Sequence, residues 1–221
     1  MRRLVILRPE PGASTTAERA RERGLEPVIV PLFEIEPVGW RAPQAGGFDG
    51  LLLTSANAVR MAGKELSKLR ALRVYAVGEA TAAAARESGF AIAGTGDAGI
   101  DRLLGSIEPQ LKLLHLAGED RRQPAGVRQT ITAITVYRAK PLDRPDLSQA
   151  EGAVLLVHSP RAGRRLGERT TDRGSMVIAA ISPAAAEAAG DGWERVEVAE
   201  APNDEAVLAL AARLCNTLPP Q

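Results

Sequence analysis

The sequence predicts an α/β protein of two similar lobes, each a parallel sheet with crossover helices. Three observations predict it. Short β-branched or leucine-rich runs alternate with longer alanine-rich stretches of helical character, the pattern of strands buried between helix layers. The phrase LLLTSANAV (Leu51–Val59) returns as LLVHSPRAG (Leu155–Gly163), with Ser159 lying 104 residues after Ser55. The same shift pairs Gly78 with Ser182, Ala82 with Ala186, Leu104 with Leu208 and Phe33 with Tyr137. Strand–helix units resemble one another by composition, but composition does not hold one offset across so many elements.

Strands are expected at Leu4–Arg8, Val28–Leu32, Leu51–Thr54, Val74–Val77, Ala91–Ala93, Leu113–Ala117, Ile131–Val136, Val154–His158, Val177–Ile181 and Arg195–Ala199, five to a lobe, with helices filling the gaps. Ser14, Thr15 and Glu18 offer N-cap chemistry for the first helix, and GEATAAAARESGF ends another at Gly89, a residue suited to a left-handed stop. FEIEPV and TVYRAKPL are extended, polar on alternate residues and closed by proline, which suits a two-stranded connector. With such a connector the lobes need not coincide with the sequence halves.

Composition narrows the function. A formal net charge of +1 with 25% charged residues gives no field of one sign, which argues against a nucleic-acid partner. Only four of the 28 basic side chains are lysines, a lean toward the cation that grips carboxylates with a planar fork, although genome composition produces the same bias. Cys215 is the only cysteine and sits on an amphipathic helix, where it packs rather than reacts, so no internal disulfide is expected. No stretch has the length of a membrane span, and the apolar run in MRRLVILRPEPG is too short for a signal peptide, so a cytoplasmic setting and no membrane partner are expected.

In open α/β sheets ligands bind beyond the carboxyl ends of the strands. TSAN after one strand and HSPRAG after its twin place hydroxyls and backbone N–H groups at a helix start, a seat for an anion, and VGEATA and ISPAAA repeat the arrangement one strand later. LAGEDRR adds Gly118, Arg121 and Arg122. Taken singly, serine, threonine and asparagine at such places serve as N-caps. Two lobes so equipped would line a cleft with anion seats. The substrate-binding candidates are therefore Arg8, Ser55, Asn57, Gly78, Thr81, Gly118, Arg121, His158, Ser159, Arg161 and Ser182. GTGDAG (Gly94–Gly99) fits a dinucleotide fingerprint, but it follows a late strand and its twin EAPNDE has no glycine. His115 and His158 lie in or at the end of apolar strands without ligand spacing, so no metal is expected; His115 reads as a packed imidazole.

LRPEPG, VIVPLFEIEP, FDGLLLTSANAV, VYAVGEATA, LLHLAGEDRR, ITVYRA and HSPRA, in this order and spacing, resemble the uroporphyrinogen-III synthase family over nearly the whole chain. The resemblance implies two flavodoxin-like parallel-sheet lobes joined by a two-stranded β connector. Residues 1–36 with 148–221 would form the first lobe, 45–137 the second, and 33–44 and 137–147 the connectors. It implies a cofactor-free, monomeric enzyme that cyclises hydroxymethylbilane with loss of water and inversion of the last pyrrole ring, in transient contact with the upstream deaminase. Carry-over by position makes Tyr137 the catalytic candidate and supports Ser55, Asn57, Thr81 and Ser159. The family's late threonine is replaced here by Ala185, leaving Ser182 as the hydroxyl of that turn. The alternative from another class is a non-catalytic bilobed protein that binds an anionic metabolite.

Overall fold

The computed structural model describes residues 1–96, 99–121 and 123–217. Arg122 and the middle of GTGDAG, Asp97 and Ala98, lie outside them. The chain divides into two compact units, Met1–Glu34 with Pro141–Gln221 as unit 1 and Ile35–Lys140 as unit 2.

Unit 1 begins with β1 (Leu4–Ile6), α1 (Gly12–Glu22) and β2 (Pro27–Ile29). The chain then passes through β3 (Phe33–Pro37) into unit 2, which contains β4 (Gly50–Leu53), α2 (Ala56–Met61), β5 (Val74–Val77), α3 (Glu79–Glu87), β6 (Ile92–Gly96), α4 (Ile100–Ser106), β7 (Lys112–Gly118) and β8 (Thr130–Pro141). Unit 1 resumes with β9 (Val154–Val157), α5 (Pro160–Arg169), β10 (Val177–Ala180), α6 (Pro183–Ala189), β11 (Arg195–Val198) and α7 (Asp204–Thr217).

The unit 1 sheet runs β11-β10-β9-β1-β2, all parallel, which is the flavodoxin-like order. Its central strands β1, β9 and β10 are apolar without alternation because both faces are covered. On one face Leu4, Ile6, Val154, Leu156, Val177 and Ala179 pack with Ala13 and Ala17 of α1 and Val207, Leu208 and Ala211 of α7. On α5, Gly163 brings the helix against α6, since a Cβ there would stand 2.5 Å from the Ala185 carbonyl oxygen. Alanine-rich α6 and glycine-bearing α5 therefore approach more closely than helices with larger side chains.

The unit 2 sheet runs β3-β8-β7-β4-β5-β6, and β4 to β8 form a parallel set. With β7 and β8 in the places of β1 and β2, this is the unit 1 order circularly permuted. Gly50 pairs with Leu113 as Val154 pairs with Leu4, so the register matches as well as the order. β3 is the sixth strand, hydrogen-bonded beside β8, so the two extended segments pair with each other, the second as the end of one long strand.

Several local expectations are corrected. Ser14 and Thr15 lie inside α1, which has no side-chain N-cap; the Glu10 carboxylate instead accepts from Ser14 N–H at 3.0 Å and from its hydroxyl at 2.8 Å. Among the described residues the gap between β7 and β8 holds no helix. Strand ends also move: the first strand stops at Ile6, the second spans Pro27–Ile29, and the fifth runs to Gly96. The expected stop at Gly89 holds, with φ +85° and bonds from Gly89 N–H to Arg86 O and from Phe90 N–H to Ala85 O, which close a Schellman motif.

Candidate functional site

In each unit the predicted residues gather at the carboxyl ends of the strands. In unit 2 Ser55 and Asn57 follow β4, Gly78 and Thr81 follow β5, Gly118 closes β7, and Arg121 follows it. Tyr137 belongs to β8 and stands opposite Gly118 after a register shift. In unit 1 Arg8 follows β1, His158, Ser159 and Arg161 follow β9, and Ser182 follows β10.

The serines have local work. Ser55 Oγ accepts from Asn57 N–H at 3.2 Å, Ser159 Oγ from Ala162 N–H at 3.1 Å and Ser182 Oγ from Ala185 N–H at 3.3 Å, so all three are N-caps. They shape the turns, and each hydroxyl hydrogen remains a donor. Gly78 caps α3 with φ +84°, a conformation that a side chain would strain. Thr81 is buried among the alanines of α3, which leaves it little surface for a ligand.

The Tyr137 ring lies directly against Gly118: a Cβ there would stand 2.8 Å from Tyr137 Cζ and 3.0 Å from Oη. Tyr137 is half-buried, and Glu119 N–H donates to its carbonyl oxygen at 2.9 Å. Among the described residues the phenol oxygen meets no hydrogen-bond partner. Arg121 turns back over the sheet, donating from Nη1 to Thr135 Oγ1 at 3.2 Å.

Beside Arg121 a cavity of about 450 Å³ is lined by His115, Gln129, Ile131 and Ala133, along the β7/β8 strip where the matching strip of unit 1 is covered by α1. His115 is only 3% exposed, and its Nε2 lies 3.2 Å from Thr54 Oγ1. Burial, helped by the Arg121 charge, pushes the imidazole down to about 4, so it is neutral at physiological pH. It is the packed ring that its apolar strand suggests.

In unit 1 the guanidinium of Arg161 stacks on the Phe33 ring at 4.6 Å, and His158 Nε2 is 3.0 Å from Asp204 Oδ1. Asp204 is the residue that sequence reasoning missed. Thr16 Oγ1 at 2.9 Å and Arg8 Nη1 at 3.2 Å donate to the same oxygen, and Arg19 Nη1 at 3.2 Å to Oδ2. Burial alone would raise this carboxyl, but the bonds from His158 and Thr16 and the charges of His158 and Arg8 outweigh it and hold the group at about 2. One signal was available, since the shift of 104 residues sets Asp204 over Ile100, a charge over a core residue. Two glycines of GTGDAG serve packing, since a Cβ would stand 3.4 Å from the Tyr75 ring at Gly94 and 3.0 Å from Leu103 Cβ at Gly96, and Gly99 takes a positive φ of +90° ahead of α4.

The two units define a class: chains with two doubly wound α/β units, whose strand ends here carry hydroxyls, backbone N–H groups and arginines. The sequence profile of uroporphyrinogen-III synthase HemD matches residues 14–209. The chain belongs to the uroporphyrinogen-III synthase family. A curated relative, uroporphyrinogen-III synthase of Chlorobaculum parvum, is 33% identical over 101 residues, a match spanning 42% of this chain and 41% of that protein's length. Two solved structures share the fold. Uroporphyrinogen-III synthetase from Helicobacter pylori matches with a TM-score of 0.64 at 19% identity, covering 97% of this chain and all 100% of that one. A variant of uroporphyrinogen III synthase from the extremely thermophilic bacterium Thermus thermophilus matches at 0.52 and 19% identity, covering 99% of this chain and 100% of the other.

Proposed function

We propose that this chain cyclises hydroxymethylbilane to uroporphyrinogen III, with Tyr137 assisting departure of the terminal hydroxyl. The observation that carries the reading, beyond family membership, is the Tyr137 phenol set against Gly118 with no internal hydrogen-bond partner among the described residues. A phenol O–H is a hydrogen-bond donor, so this one can donate to the leaving oxygen. As the C–O bond breaks, the adjacent pyrrole nitrogen supplies the electron pair while keeping its hydrogen, and water and a protonated azafulvene result beside the phenolate. The substituted carbon of the last ring then attacks the azafulvene carbon, and the spiro intermediate opens and recloses with that ring inverted. The ring carbon that has formed the final bond loses its proton and regains aromaticity. Solvent returns a proton to the phenolate. The protein's further task is orientation of a polycarboxylate, for which Arg8, Arg121 and Arg161 provide charge, and Ser55, Asn57, Gly78, Gly118, His158, Ser159 and Ser182 provide the surrounding turns.

The substrate closes spontaneously, so short transit from the deaminase that makes it is an advantage; transient contact with that enzyme, action as a monomer and a cytoplasmic setting complete the reading. The test supplies freshly generated hydroxymethylbilane and separates the cyclic products. Dominance of the type III isomer is expected. Unchanged spontaneous type I closure would leave the alternative, a binding protein for an anionic metabolite.

A further inference from the structure

The ionic cluster of unit 1 asks for an explanation that helix capping does not give. Asp204 opens α7, but the cap is made by Asn203, whose Oδ1 accepts from Ala206 N–H at 2.9 Å. The Asp204 carboxylate is instead shared among four donors from three other elements: Arg8 beyond β1, Thr16 and Arg19 of α1, and His158 beyond β9. The fold does not require this. At the matching places unit 2 has Ile100 for Asp204 and Thr54 for His158, and counting on from Leu4 and Leu113, which sit alike beside β9 and β4, it has Ala117 for Arg8. Thus one of two like units supports the same sheet order with neutral residues, and the other gathers charges where strand order reverses, between β1 and β9.

The cluster fixes one edge of Arg8 and leaves another. Nη1 is bound to Asp204 Oδ1 and to Thr16 Oγ1, both at 3.2 Å. Nε and Nη2, the edge that grips a carboxylate in parallel fashion, face Gly12: a Cβ there would lie 2.7 Å from each. Any side chain at residue 12 would crowd that edge. Arg8 itself remains about one-third exposed, with 34% of its side chain accessible.

We propose that the Nε/Nη2 edge of Arg8, over Gly12, seats one carboxylate of the substrate and that Asp204 is the positioning residue that holds the guanidinium for it. The proposal rests on the function given above, whose substrate carries acetate and propionate groups. Asp204 also fixes His158 with its hydrogen on Nε2, because an ionised carboxylate only accepts.

Two variants test this by steady-state kinetics with hydroxymethylbilane, read as the type III product. Asp204→Asn should raise KM about tenfold and leave kcat within about twofold. It should also shift the Nε2–H resonance of His158 in ¹⁵N spectra recorded without substrate, because the amide oxygen that can still accept there carries no charge, which shows that the cluster has been weakened. Gly12→Ala displaces only the end of a flexible side chain, so it should fold, keep the His158 resonance and still raise KM. If Asp204→Asn fails to fold, Gly12→Ala decides alone. An unchanged KM in Gly12→Ala, or in a folded Asp204→Asn protein whose melting temperature alone has fallen, overturns the seat while leaving the function standing. A wild-type protein that yields only the type I isomer removes both.

Discussion

Gly118 and Tyr137 face each other across β7 and β8 so closely that one methyl group on Gly118 would stand 2.8 Å from the ring carbon bearing the phenol oxygen. Glycine here is required by contact, since it does not adopt a positive φ. Gly118→Ala should therefore keep the fold, displace the ring and lower turnover on the order of tenfold to a hundredfold, the scale of misplacing a reacting group by about an ångström. Melting temperature and turnover measured together check it. A variant as stable and as active as the wild type would show that the ring's position does not matter.

Tyr137→Phe removes the oxygen and keeps the packing. The matching place in unit 1 is Phe33, so a plain ring is compatible with this position in the fold. Turnover should fall roughly tenfold to a few hundredfold, about 1.4 to 3.5 kcal/mol of barrier, because the substrate's leaving group is already labile. Retained turnover in an equally stable protein would end the role given to the phenol.

His115 sets an acid limb on stability. Its folded value lies near 4, below the 6.5 of an unburied ring, so between these values the unfolded chain binds the proton and the folded chain does not. Stability is therefore lost as pH falls from about 6.5 toward 4, by at most about 3 kcal/mol, and this group adds no further loss below that. His115→Leu, which places a residue like the Ile6 of unit 1 there, should flatten the limb in chemical denaturation at a series of pH values. A slope that persists in the variant would assign the effect to other groups.

The parts of the fold that were legible are those governed by short-range pattern. Fully apolar strands such as β4 and β9 announce burial on both faces, and the constant offset between Ser55 and Ser159 is the register of two matching sheets. What was not legible depends on partners distant in sequence. Glu10 displaces Ser14 as the group that meets the start of α1, a choice that local cap preferences do not reveal. Between β7 and β8 the chain is short and carries Pro124 and Gly126, and its described residues form no helix; Ala125 N–H ties it to Asp101 at 2.9 Å. Asp204 has no local signature at all. Its significance arises where β1, α1, β9 and α7 converge, and only its mismatch with Ile100 in the repeat pointed to it.

The division into units makes a prediction about fragments. Unit 2 is one continuous stretch, Ile35–Lys140, and the central strands of its sheet are covered on both faces from within it: Leu51, Leu53, Leu114 and Leu116 by α2 and α3 with the segment Gly63–Leu69, and Leu52 and Leu113 by α4. Unit 1 is assembled from both ends of the chain, with β1 hydrogen-bonded beside β9. We expect Ile35–Lys140, expressed alone, to unfold in one cooperative transition in guanidinium, because every strand of its sheet keeps its neighbours. A chain of residues 1–104 should fail. It lacks β7, which pairs with β4 from Gly50–Leu113 to Leu53–Leu116, so a wholly apolar central strand would become an open edge. It also leaves β1 and β2 without β9, with the α1 stripe of Ala13, Ala17 and Ala20 deprived of α7. Circular dichroism and denaturant titration of both fragments decide the matter: a cooperative 1–104 fragment beside a molten 35–140 fragment would show that the chain folds by contiguous halves.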